Sequence, residues 1–414
     1  MRYIPLEKLP YELLRIRVPV TPAVDIGRTN VYSSNYQTIL SSRAVIRKSH
    51  IDKLRTMGVN QVCVNDPLTD DIKVHNPVDD NMADQFGYFI DSIRKKLFPI
   101  YYELHEKRYT RATFNLRYRT HAHSFVCSDS RIPRLNQLLN DMFETFQFDF
   151  RKEKISHFTN IIVGNDYVRF HGLFCGFLAA KLMVESGATQ DQIRNVFVGT
   201  LLQDIGIDPE YYTLKKPTHE EERIFKEHPR LACMIINETP LFNPLMGITA
   251  LNHHRYINRS GFPRSMHIKK IYNYEKGMHD HGKIASIVNT YAALSIFYPP
   301  HKVLECISYI FSNFLFAQPY ALLLPSVLNP YPVGYALELT SGEKVIVKEN
   351  EHFDKLVVRI IYDAAGKRPK DKKDLTVYFH QNTVKGPWYL DEKLQKIVTS
   401  HYPLIILSYL NHNM

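Results

Sequence analysis

Two adjacent histidines, His253 and His254, stand at the end of an apolar helical pattern and lead into the turn Gly261-Phe262-Pro263. On a helix, neighbouring side chains diverge by roughly 100°, so one metal ion cannot easily take both rings. Two metal ions side by side, or one metal ion and a substrate phosphate, could accommodate the pair. The alternative is a pair of helix-end histidines that cap backbone carbonyls.

Further metal-binding residue types follow in a fixed order, each on a separate segment with helical periodicity. His171 opens one amphipathic run, Asp204 ends the next, and His228 lies in another. Helix bundles build carboxylate and histidine metal sites from side chains that project inward from different helices. The order therefore predicts that His171, Asp204, His228, His253 and His254 converge on one interior pocket.

The chain from about Asp166 to Asp374 resembles the HD-GYP family, bacterial metal-dependent phosphodiesterases of cyclic di-GMP. The family signature is a His-Asp pair followed by Ile-Gly and Lys, a later His, His-His-Glu, Gly-Tyr-Pro, and an Asp in an Ala-Asp-Val-Tyr-like helix. The corresponding stretches here are Gln203-Asp204-Ile205-Gly206-Ile207, His228, His253-His254-Arg255, Gly261-Phe262-Pro263 and Val288-Asn289-Thr290-Tyr291.

The resemblance implies that Asp204 is the catalytic carboxylate and bridges two divalent metal ions, with His171, His228, His253 and His254 as terminal ligands. Hydrolysis of a cyclic dinucleotide requires a nucleophile near neutral pH and neutralisation of the charge that builds on the phosphoryl oxygens. Two metal ions supply both. Nitrogen and oxygen ligands suit iron or manganese, with zinc as a further candidate.

The resemblance also implies which residues contact the cyclic dinucleotide, namely Gly261, Phe262, Pro263 and Arg255. Phe262 keeps the aromatic ring of the family's tyrosine and lacks its hydroxyl, so it could stack on a guanine. The alternative is an ordinary turn that an aromatic side chain plugs.

Four positions depart from the signature. Gln203 replaces a histidine with an amide, which binds metals poorly, and Asn289 replaces an aspartate, which leaves Asp204 as the single carboxylate of the set. Ile207 replaces a lysine that lies close to the substrate phosphate in the family, and Arg255 replaces a glutamate. We therefore expect weaker metal binding and weaker stabilisation of phosphoryl charge.

A second group of ligand atoms, His279-Asp280-His281, stands just before the helix that carries Asn289. These side chains could replace the imidazole and the carboxylate that are lost at positions 203 and 289. The alternative is a solvated loop.

Three functions agree with these residues. The leading hypothesis is a degenerate HD-GYP-type protein that holds one or two metal ions and binds cyclic di-GMP or a protein partner, with slow or absent hydrolysis. The second is an active phosphodiesterase with a reduced metal site. The third is a purely structural or nucleic-acid-binding helical protein.

The composition of the chain bears on its size, its partners and its location. The chain has 414 residues, of which 44% are hydrophobic, enough for a large core and two or three domains. A formal net charge of +10 favours anionic partners without choosing among nucleotide, nucleic acid and membrane surface. Five cysteines without a Cys-x-x-Cys pair predict buried free thiols, and the N-terminus lacks the apolar core of a signal peptide. These features predict a cytoplasmic protein.

The predicted fold is mainly α: an all-helical HD-type bundle with a small N-terminal α+β domain and a short strand-rich C-terminal tail. The predicted parts are residues 1–75, a helical connector at 76–154, the HD-GYP-like domain at 155–329, and the extension at 330–414. The longest uncharged stretch, residues 306–337, is broken by prolines and amides, so we predict no membrane span.

Within the connector, one apolar stripe at three- and four-residue spacing includes Ile132, Leu135, Leu139 and Met142. It predicts a helix that packs on the following domain or pairs with a second copy in a homodimer. A basic and aromatic stretch at 94–119 could bind nucleic acid, or it could be a solvated helix face with aromatic packing. Short strands are predicted at 15–20, 30–32, 61–64, 335–339, 344–348 and 356–362, and a helix at 50–57.

Overall fold

The computed structural model describes residues 2–5, 52, 61–64, 67–72, 80–151, 155–156, 166–208, 218–263, 277–297, 303–329, 331, 333–352, 355–378 and 383–387. The strands predicted at 15–20 and 30–32, and all of the predicted helix at 50–57 except residue 52, lie outside these residues. The predicted mainly α architecture with a strand-rich C-terminal region is confirmed.

The described helices are α1 (Asp80–Glu106), α2 (Arg111–Ser128), α3 (Arg131–Thr145), α4 (Asp166–Glu185), α5 (Gln190–Leu201), α6 (His219–Phe225), α7 (His228–Glu238), α8 (Pro244–Asn252), α9 (Asp280–Phe297), α10 (Val303–Ser312), α11 (Gln318–Ala321) and α12 (Leu324–Val327). The described strands are β1 (Arg2–Pro5), β2 (Gln61–Val64), β3 (Ile155–Ser156), β4 (Leu328–Asn329), β5 (Ala336–Leu339), β6 (Lys344–His352), β7 (Lys355–Tyr362), β8 (Asp374–Tyr378) and β9 (Val384–Pro387).

The connector helices share one hydrophobic core with the helices that follow them. The predicted stripe of α3 is buried, and the rings of Phe143 in α3 and of Phe146, just after α3, contact Phe197 of α5. In addition, α1 packs on α4 and α2 packs on α7. Of the two roles predicted for the connector, packing on the following domain is therefore observed, whereas the boundary at residue 154 and homodimer formation stay predictions.

Burial separates the two interpretations of the basic and aromatic stretch at 94–119. Among its aromatic residues, Tyr101, Phe114 and Tyr118 are buried, as is Arg94, whereas Tyr109 is partly buried and Tyr102 is exposed. Side chains that fill a core are not available as a stacking surface for bases. The structure favours the packing interpretation.

Capping residues fix the helix ends around the candidate site. Capping boxes begin α5 at Thr189 and α6 at Thr218, as the sequence predicts. Asn243 caps α8, because its side-chain oxygen accepts a hydrogen bond from the Leu245 N–H at 2.9 Å. Helix α8 ends at Asn252, so His253 and His254 follow its last turn.

A five-stranded antiparallel sheet in the order β8-β7-β6-β5-β9 forms the C-terminal region. Its buried Arg359 donates hydrogen bonds to both carboxylate oxygens of Asp71, at 3.0 Å each, and to the Leu68 carbonyl. Arg359 also pairs with Asp374 on β8. The segment at 67–72 is thereby attached to the C-terminal sheet, although the two are far apart in the sequence.

Two sequence expectations need correction. Cys175, Cys233 and Cys306 are buried free thiols, but Cys127 is exposed, because the buried face of α2 runs through Phe114, Tyr118, Ala122 and Val126 and position 127 lies roughly 100° away from it. Helix α4 begins at Asp166, so His171 lies within the helix and does not open it.

No helix in the described ranges combines the length and apolar character needed to span a membrane.

Candidate metal centre

Four side chains from three segments meet in the helical region. Asp204, His228, His253 and His254 each place one ligand atom within 4.8 Å of the others. Asp204 follows α5, His228 is the first residue of α7, and the histidine pair follows α8. The first three residues are buried, and His254 is partly exposed.

Two of the imidazole rings have their proton positions fixed by backbone carbonyls. The His228 Nδ1–H donates to the Phe225 carbonyl oxygen at 2.7 Å, and the His253 Nδ1–H donates to the Ala250 carbonyl oxygen at 2.5 Å. A carbonyl oxygen can only accept, so in the neutral rings both Nε2 atoms carry lone pairs. These two Nε2 atoms face each other at 3.0 Å.

The Asp204 carboxylate completes a cluster of acceptor atoms. Its Oδ1 lies 3.3 Å from His228 Nε2 and 3.4 Å from His253 Nε2. Ligand atoms around one ion at metal–ligand distances of ~2.0–2.2 Å are separated by roughly 3.0–3.5 Å. The three atoms therefore have the spacing of ligands to one metal ion.

The charge states of these side chains are those that metal binding requires. Burial lowers the pKa of His228, and burial together with the neighbouring His253 and His228 rings lowers the pKa of His254 well below its usual range. Neutral imidazoles beside an ionised carboxylate favour a bound cation.

The fifth predicted ligand, His171, lies in an adjoining hydrogen-bond network. Its Nε2 is 3.8 Å from Asp204 Oδ2 but 2.8 Å from Asn289 Oδ1. Gln203 Nε2 donates to the same Asn289 oxygen at 3.0 Å. All three residues of this network are buried.

The predicted substrate turn packs directly against the metal-binding group. The Phe262 ring stacks on the His254 ring with centroids 4.2 Å apart and planes 22° apart, and it is 5% exposed. Gly261 has φ +86°, and a Cβ there would collide with the His254 carbonyl oxygen, so the turn requires glycine. Phe262 therefore covers one face of a candidate ligand, and stacking on a guanine stays a prediction.

The remaining substrate position, Arg255, follows His254 directly and is partly exposed. It forms an isolated antiparallel bridge with Gly261. This bridge joins the residue after the histidine pair to the turn that carries Phe262.

The structure does not bring His279, Asp280 and His281 into this cluster. They lie at the start of α9, and His281 precedes Asn289 by a helical distance of roughly 12 Å. His281 is buried beside His279, with ring centroids 4.4 Å apart. Asp280 is exposed and pairs with Lys283. These three residues are not members of the group within 4.8 Å, and replacement of the lost ligands by them stays a prediction.

Residues with no predicted role hold the Asp204 loop in place. Arg94 of α1 donates from Nε to the Ile207 carbonyl oxygen at 2.8 Å, and the Ile207 side chain lies in the hydrophobic core. A Cβ on Gly206 would collide with the His228 carbonyl and lie 2.8 Å from the Ala232 backbone nitrogen. In the sequence, Arg94 is recognisable only as part of a basic stretch, because the residue that it contacts lies more than a hundred positions away.

We expect Arg94→Met to lower the free energy of unfolding by about 2 kcal/mol, because the buried Ile207 carbonyl loses its hydrogen-bond donor. Urea denaturation of the metal-free chain measures this. Lys95→Met is the matched control, since Lys95 is exposed on the same helix and should change stability by less than ~0.5 kcal/mol. Equal stabilities of the two variants would contradict the role given to Arg94.

No protein-family model and no curated protein matches the chain. Among solved structures, the chain is similar to Bd1817, described as an HDG"Y"P protein from Bdellovibrio bacteriovorus, with 15% sequence identity and a TM-score of 0.32. The match covers 67% of this chain and 77% of that chain. An HD-GYP protein is thus among its structural neighbours.

Proposed function

We propose that this chain is an HD-type metal-binding protein that binds cyclic di-GMP or a related cyclic dinucleotide and hydrolyses it slowly or not at all. The observation that carries the metal site is the pair of Nε2 lone pairs, on His228 and His253, that face each other at 3.0 Å beside the Asp204 carboxylate. Only a shared proton or a metal ion removes that repulsion. Burial lowers the pKa of His228, which disfavours the proton.

The ligand set of this proposal is Asp204, His228, His253 and His254. Three imidazoles and one carboxylate suit iron, manganese or zinc. A divalent ion supplies Lewis-acid polarisation of a phosphoryl oxygen when it is bound. The partly exposed His254 and Arg255 lie on the side from which a phosphate could approach.

The expectation of slow hydrolysis comes from the departures in the signature. The described cluster has one carboxylate, and Ile207 faces the core where the resemblance expects a lysine near the phosphate. Arg255 offers a positive charge that can hold a phosphate, but it cannot replace a metal-ligating carboxylate or a second cation. We therefore expect the chain to retain binding of the cyclic dinucleotide more fully than its hydrolysis. A protein partner in cyclic di-GMP signalling and a cytoplasmic location, the latter supported by the free thiols, belong to the same proposal.

Metal content and nucleotide turnover test the proposal together. The purified chain should contain a transition metal by elemental analysis, and His228→Ala should lose it. His219→Ala should retain it, because His219 is exposed at the start of α6. Calorimetry should detect cyclic di-GMP binding while chromatography shows little or no linear product. Metal-free protein that takes up no added Fe²⁺, Mn²⁺ or Zn²⁺ would contradict the proposal, and rapid product formation would show that the chain is an active phosphodiesterase.

A further inference from the structure

Asp204 presents its two carboxylate oxygens to different neighbours. Oδ1 lies 3.3 Å and 3.4 Å from the Nε2 atoms of His228 and His253, whereas Oδ2 lies 3.8 Å from His171 Nε2. A carboxylate placed in this way could bridge two cations. The groups on the Oδ2 side therefore decide whether a second ion has ligands.

The Oδ2 side is lined by the side chains of His171, Gln203 and Asn289. Asn289 Oδ1 accepts from Gln203 Nε2 at 3.0 Å and lies 2.8 Å from His171 Nε2. Gln203 Nε2 also lies 3.3 Å from His171 Nε2. His171 Nε2 is therefore closer to both amide side chains than to Asp204 Oδ2, and the three side chains form one hydrogen-bonded network.

Further contacts belong to the same network. Asn289 Nδ2 lies 3.4 Å from His254 Nδ1 and can donate to it, which is consistent with the amide oxygen pointing towards His171. Cys175 Sγ lies 3.6 Å from His171 Nε2 and 3.8 Å from the Val288 carbonyl oxygen, to which the thiol can donate. Gln203 Oε1 is a buried acceptor with no hydrogen-bond partner in the described part of the chain, and an amide oxygen is a weak metal ligand.

Charge opposes a second ion as well. One carboxylate with two dications would leave a net charge of about +3 in a buried pocket, and uncompensated buried charge costs several kcal/mol. One dication and the same carboxylate would leave a net charge of about +1. His254 is partly exposed on this side, and a bound phosphate could neutralise the remaining charge.

We propose that the pocket binds a single divalent ion through Asp204, His228, His253 and His254, and that the hydrogen-bonded network of His171, Gln203 and Asn289 takes the place of a second ion. The inference rests on the metal site of the proposed function and specifies its stoichiometry. It also removes His171 from the ligand set implied by the family resemblance. A site with one ion can hold a phosphate, but it lacks the second cation that would share the charge developing during hydrolysis.

Titration of the metal-free chain with Mn²⁺ alone tests the stoichiometry. Calorimetry should give one bound ion per chain, and electron paramagnetic resonance should show an uncoupled Mn²⁺ ion. Two ions per chain with a coupled spectrum would overturn the single-ion inference and leave the proposed metal site intact. No binding of Mn²⁺, Fe²⁺ or Zn²⁺ would overturn the proposed function itself.

A matched pair of variants tests the role of His171. His171→Gln retains a donor towards Asn289 and should change Mn²⁺ affinity by less than ~3-fold, since only a hydrogen bond is altered. His228→Gln removes a ligand and should weaken binding by at least ~100-fold. Equal losses in the two variants would identify His171 as a ligand and overturn the inference.

The double variant Gln203→His with Asn289→Asp tests whether these amides exclude the second ion. It should take up a second Mn²⁺ ion, because it supplies an imidazole and a carboxylate on the Oδ2 side. Asn289→Asp alone, which preserves side-chain shape, should already show a second, weaker binding event. Circular dichroism checks that both variants fold. If the folded double variant took up only one ion, the role given to the amides would be overturned.

Discussion

Asp204→Asn is expected to reduce bound metal from about one ion per chain to a trace and to weaken Mn²⁺ affinity by at least ~100-fold. The change keeps the side-chain shape and removes the negative charge that lies between the His228 and His253 rings. Calorimetric titration of the metal-free protein measures the affinity. Thermal unfolding provides a second readout, because an ion at 100 times its dissociation constant stabilises the native chain by about 2.7 kcal/mol, and the variant should lose that stabilisation.

The matched control for this change is Asp208→Asn in the same loop. Asp208 accepts a hydrogen bond from the Tyr102 hydroxyl at 2.7 Å and is not a member of the metal-binding group. Its replacement should leave Mn²⁺ affinity within ~3-fold of wild type. If Asp204→Asn retained full affinity, the carboxylate would not be a ligand and the proposed site would be wrong.

Gly206→Ala is expected to lower the free energy of unfolding by about 2–3 kcal/mol, because the added methyl group collides with backbone that cannot move independently of α7. The Cβ would lie 2.8 Å from the Ala232 nitrogen and 2.9 Å from the Leu231 Cβ, and it would overlap the His228 carbonyl. Since the same contact positions His228 opposite Asp204, we also expect Mn²⁺ affinity to fall roughly 10–100-fold. Urea denaturation and calorimetry measure the two effects.

Gly366→Ala separates the local effect from general destabilisation. Gly366 has φ +74° and no atom within 4 Å of an added Cβ, so alanine there should cost about 1 kcal/mol through backbone strain alone. The metal affinity should not change, because Gly366 lies in the turn between β7 and β8. A loss of metal affinity in both variants would show that destabilisation alone disturbs the site, and would remove the specific role of Gly206.

The dependence of the site on Arg94 and Gly206 has a consequence for the connector. Arg94 belongs to α1, and the carbonyl that accepts its hydrogen bond belongs to Ile207, three residues after Asp204. A change in the packing of α1 would therefore be transmitted to a metal ligand through one hydrogen bond. The connector is part of the structure that forms the site as well as a link between regions.

Periodicity, capping residues and motif order allowed much of the fold and the candidate ligands to be predicted. The α3 stripe, the capping boxes at Thr189 and Thr218, and strands β5, β6 and β7 follow from local patterns of apolar and capping residues, and local patterns act over one or two turns of chain. The order of Asp204, His228, His253 and His254 likewise identified side chains that the structure places within 4.8 Å of one another.

What the sequence by itself determined was therefore which residues have metal-binding chemistry and on which helices they lie. The tertiary structure decided their protonation and their partners: the Nδ1 protons of His228 and His253 are directed to carbonyls, His171 is directed to Asn289, and His281 lies apart from the cluster. Hydrogen-bond direction depends on atoms brought together from distant segments, and ligand type and spacing along the chain do not encode it. The sequence therefore left open one ion or two, and the contacts of His171 with Asn289 and Gln203 are the basis of the single-ion proposal.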